Sequence, residues 1–71
     1  MEFIEREAAK AVSDKLKMIL PDLKAAYYSA KRLEYDYNWD VRSDQMCEAY
    51  MTLAGAYIEV VESLEEEEGA K

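Results

Sequence analysis

Carboxylates are the most abundant groups in this chain that could do chemistry: sixteen Asp and Glu stand against nine Lys and Arg, with no histidine and a single cysteine. Paired carboxylates can act as general acid and base or hold a metal, and in four-helix carboxylate centres they do so as inward-facing Glu and Glu-x-x-His sets. Here Glu48, Glu59 and Glu62 fall on the polar strip of a helical pattern, and no histidine exists to complete such a set. There is no Gly-rich phosphate loop, nucleophile elbow or Cys–His pair. The inventory predicts a protein that is not an enzyme and takes neither cofactor nor metal. Cys47 lies inside an apolar pattern and reads as a small, inert hydrophobe in a reducing compartment.

The remaining candidates are charges and aromatic rings. The net charge of −7 is unevenly spread: residues 1–32 hold seven bases and five acids, residues 33–71 two bases and eleven acids. The second half should repel free nucleic acid and attract a protein with a basic surface. Lys10, Lys17, Lys24 and Lys31 recur every seven residues and could line one side of a helix, touching phosphates, if Pro21 preserves the helical phase. A solvated face is the expected reading of that row, and direct nucleic-acid binding is not expected. Tyr27, Tyr37, Tyr50 and Tyr57 fit helix seams and are expected in the core. Tyr28, Tyr35 and Trp39 do not fit, and they lie beside Asp36, Asp40, Arg42 and Asp44. Exposed rings with an acidic rim have the composition of a protein-binding patch, so Tyr28, Tyr35, Asp36, Trp39, Asp40 and Asp44 are the candidate partner-binding residues. The competing reading is that the three rings merely close one end of a bundle.

The elements that must position these groups are all helical. The longest pattern runs from Ser43 to Glu66, with apolar residues at Met46, Tyr50, Leu53, Tyr57, Val60 and Leu64 in a 4-3-4-3-4 spacing. A second row follows one position later at Cys47, Met51, Ala54, Ile58 and Val61, so this helix wants neighbours on two sides. That second row is the expected dimer interface, with the small residues of Leu53-Ala54-Gly55-Ala56-Tyr57 allowing two helices to cross closely. A first helix is expected over residues 2–19, with an inward stripe of Ile4, Ala8, Ala11 or Val12, Leu16, and Ile19 or Leu20. Pro21 reads as a break, with a second helix over 21–37 presenting Leu23, Ala26 or Tyr27, Ala30, Leu33 and Tyr37. Were Pro21 only a kink, the first two helices would form one bent rod, and another chain would have to complete the bundle. Asn38 to Arg42 is a turn, Ser43 or Asp40 caps the last helix, and the acids of 67–71 are expected to fray.

The expected fold is therefore all-α: a small three-helix antiparallel bundle with a long C-terminal helix, one domain over residues 1–66, paired into a homodimer. A chain of 71 residues buries little core alone, and without a disulfide or metal, self-association is the remaining stabiliser. The charged N-terminus and the absence of a long apolar run predict a cytoplasmic protein with no membrane span. The expected function is a non-enzymatic acidic module that occupies a basic surface of a partner. In size, charge and helicity the chain resembles the small proteins with which phages and other mobile elements block nucleic-acid enzymes, anti-CRISPR proteins among them. That resemblance implies an inhibitor or nucleic-acid mimic acting in the host cytoplasm. The alternative is a structural or regulatory dimerisation module with no external basic partner.

Overall fold

The structure, a computed structural model, describes residues 2–69. It contains two helices, α1 (Phe3–Tyr37) and α2 (Ser43–Gly69), joined by a five-residue turn over 38–42 and packed side by side as an antiparallel hairpin. The expected three-helix bundle is thus corrected to a two-helix hairpin, because α1 runs unbroken through Pro21. Proline costs a helix interior about 3 kcal/mol, through the lost N–H bond and the clash of its ring with the preceding turn. Here Pro21 is exposed, outside the line of residues that α1 buries against α2. The displaced carbonyl of the preceding turn can therefore turn to water. The rest of α1 is rich in Ala, Leu, Lys, Arg and Glu, all strong helix formers.

What holds α1 together across Pro21 is the continuity of its contact with α2. Along α1 the positions shielded from water are Arg6, Ala9, Ser13, Leu16, Leu20, Leu23, Tyr27, Ala30, Leu33 and Glu34. Apart from Leu33, which flanks the line at the turn end, their spacing alternates between three and four, the phase of a two-stranded seam, and it passes Pro21 without a slip. A break at Pro21 would have thrown Leu23, Tyr27 and Ala30 out of line with Leu16 and Leu20. The facing seam of α2 is Ser43, Met46, Tyr50, Leu53, Tyr57, Val60, Leu64 and Glu67. Its apolar members are those expected from sequence.

The inward stripe of the first helix is corrected. Ile4, Ala8 and Ala11 are exposed, and Val12 and Ile19 are only partly covered, while Arg6, Ala9 and Ser13 face α2. Between two helices only one narrow line is buried. That line must keep phase with Leu16 to Ala30 rather than follow the most apolar residues of the first turns. Tyr37, expected inside, is also exposed. At the open end Arg6 donates to the carboxylate of Glu68 at 2.9 Å, across 62 residues of sequence. α2 continues to Gly69, beyond the expected end at Glu66. Ala70 and Lys71, part of the expected fraying segment, lie outside the described residues.

The core of a lone hairpin is thin. Leu16, at 8% exposure, and Ala30 are its buried hydrophobic residues. The whole rod measures 55 × 15 × 13 Å, its length close to the roughly 52 Å that 35 residues span at the α-helical rise.

Candidate protein-binding surface

The turn is built by two residues in left-handed backbone conformation. Asn38 has φ 61°, and its N–H and that of Trp39 both point to the Leu33 carbonyl, closing the end of α1. Asparagine tolerates this geometry because its short polar side chain can bond locally. Arg42 has φ 54°, and its carbonyl accepts the N–H groups of Gln45 and Met46, which opens α2. The expected caps, Ser43 or Asp40, are replaced by a contact between the helices: Glu34 of α1 accepts the Ser43 N–H at 3.1 Å and also the Ser43 hydroxyl. A carboxylate thereby sits at the positive end of α2, where the helix dipole favours it. The Ser43 hydroxyl, followed by its N–H, holds the Glu34 carboxyl below the usual carboxylate range. In sequence Glu34 looks like one more surface acid; only its place in the 3-4 spacing of α1 marks it as the last seam residue.

This closure fixes which rings face water. Tyr35 is 90% exposed and Trp39 is 59% exposed, so neither closes the end of the hairpin. Asp40 and Asp44 are exposed beside them, and Asp36 is drawn toward Arg32 at 3.4 Å, one helical turn back. Tyr28, the third ring expected in this patch, belongs elsewhere. It packs at 5.4 Å against Tyr27, over whose ring the Lys31 ammonium stands at 5.9 Å. With Lys24, Tyr27, Cys47, Tyr50 and Met51 it lines a shallow, mostly apolar hollow on one flank of the rod. The residues expected to bind a partner therefore divide between two places. Tyr35, Asp36, Trp39, Asp40 and Asp44 gather at or near the turn; Tyr28 joins the expected dimer residues Cys47 and Met51.

The chain matches no family model, no curated protein and no solved structure in comparison with each. The surface must speak for itself. α2 carries eight acids and no base within its bounds, whereas α1 carries seven bases against six acids. Lys10, Lys17, Lys24 and Lys31 do keep one phase along the unbroken α1, and all four are exposed. The hollow shows that their row stands on the same flank as the second row of α2. Of that second row, Met51 (67%) and Ile58 (55%) are exposed, while Cys47, Ala54 and Val61 are half-buried. Gly55, in the stretch expected to allow a close helix crossing, has open space where a side chain would begin, so the hairpin itself makes no tight crossing there. Sequence offered Cys47 no basic neighbour; the fold brings Lys24 to the same hollow. Among the described residues no cluster of acids and Cys47 could hold a metal ion. Among the same residues no helix is long and apolar enough to cross a membrane.

Proposed function

We propose that this protein is a non-enzymatic binding module that engages a partner protein with a basic surface through the turn end of the hairpin. The observation that carries the proposal is the exposure of Tyr35 and, for the larger part, of Trp39, near Asp40 and Asp44. Rings of this kind contribute large contact area with few rotors to freeze, and they commonly dominate the energy of a protein contact. The acids around them, with the uncompensated charge of α2, favour a basic partner and reject nucleic acid. A nucleic-acid enzyme is one class of protein with such a surface. Blocking it, as phage inhibitors do, is supported here by charge alone.

The chain contains a single tryptophan, so its fluorescence reports directly on the proposed contact. Immobilised wild-type protein and a Tyr35→Ala, Trp39→Ala variant, exposed to the same cell extract, should differ by a protein that only the wild type retains. That protein should elute as salt rises, because the attraction is screened, and should shift the emission of Trp39 when added back purified. Equal retention by both proteins would show that the turn end is not the binding surface.

A further inference from the structure

We infer that a second copy of this chain covers the flank on which the hollow lies, with the α1 of each copy set along the second row of the other's α2 and both turns at the same end. This surface is separate from the turn end, so its failure leaves the proposed function standing. The second row, Cys47, Met51, Ala54, Ile58 and Val61, has the same 4-3-4-3 spacing as a helix seam, and such a row is matched by another helix rather than by a loop or small ligand. A lone hairpin whose buried hydrophobic residues are Leu16 and Ala30 also lacks the core that a chain of this size needs.

Charge selects the helix. If α2 packed on α2 of the second copy about a two-fold axis across the rod, Glu48 and Glu62 would face the same acids of the other chain on one flank. If the axis instead runs along the rod, each α2 meets the other copy's α1, with its lysine row, Pro21 and Tyr28. The levels follow from the hairpin itself, where Arg6 stands beside Glu68 and Glu34 beside Ser43. On those levels Lys10 comes opposite Glu65 and Glu66 of the second copy, and Lys17 opposite Glu59. Tyr28 arrives near Cys47 and Met51, where the hollow is open to receive a ring. The contact is the same on both copies, so it closes at two chains.

The full-length chain decides the matter in solution. Light scattering over a range of concentrations should give twice the chain mass at low salt, with the assembly weakening on addition of salt. A spin label at Asp40→Cys, an exposed position of the turn, in a Cys47→Ala background, should report a separation between the two turns of less than half the 55 Å length of the rod. A Lys10→Glu, Lys17→Glu variant, altered only at exposed positions, should keep its helical circular dichroism and run as a monomer. A wild-type monomer at every concentration overturns the inference, as does an assembly that grows without limit. A dimer with its turns near 55 Å apart, or one untouched by the lysine changes, would instead place α2 against α2 and overturn the arrangement.

Discussion

The two helices are bound by one seam, yet they differ in everything outside it. α1 contains a proline, is nearly charge-balanced and shows α2 a single narrow line of residues; α2 has no proline, carries eight acids and presents two apolar rows. The helix with the worse local signal is the longer one. Its length is set by the partner it lies against, since stopping at Pro21 would forfeit the contact from Leu23 to Glu34. The helix with the better local signal has apolar surface to spare, and that surplus is where a lone hairpin is incomplete. Local propensity and tertiary contact have thus been satisfied separately, each at the expense of the other.

The largest effect should come from contrasting a residue on the seam with one on the surplus row. Leu16→Ala removes the largest buried apolar side chain of the hairpin and should cost roughly 2–5 kcal/mol in chemical denaturation. Ile58→Ala, half-exposed in the lone hairpin, should cost well under half as much when the protein is dilute and more as concentration rises. A cost independent of concentration would break the distinction between the two rows.

Next in size is the proline. If continuity with α2 carries α1 through Pro21, then Pro21→Ala restores a helix bond without touching the seam and should raise stability by up to about 3 kcal/mol. A loss of stability would show that the ring is used, for example against a second copy.

The smallest effect, and the one most specific to its cause, lies at the turn. The lowered pKa of Glu34 means that its bonds to Ser43 add stability above the ordinary glutamate value near 4.5 and lose it as pH falls through the folded value. Glu34→Gln should therefore melt below wild type at pH 7, with the gap narrowing as pH drops below 4.5. Comparing the two proteins at each pH cancels any pH dependence they share. A gap that stays constant down to pH 3 would mean that the carboxylate is not what closes the turn.

The sequence by itself determined that the chain is helical, where the turn falls, and which residues of α2 face its partner. All of these follow from apolar period and from side-chain chemistry within a few positions of one another. It also held the signal for an unbroken α1, in the recurrence of lysine at every seventh position from Lys10 to Lys31 and the 3-4 line from Arg6 to Glu34, but proline's local cost obscured it. Two things only the tertiary structure decided. Glu34 became the cap of α2, a role invisible nine residues away in sequence, because the turn folds Ser43 back onto it. Tyr28 parted from Tyr35 and Trp39 for a similar reason. Tyr28 and Tyr35, seven residues apart, leave α1 on the same side, but α2 brings Cys47, Tyr50 and Met51 to the level of Tyr28, while Tyr35 lies two turns further along, near the turn.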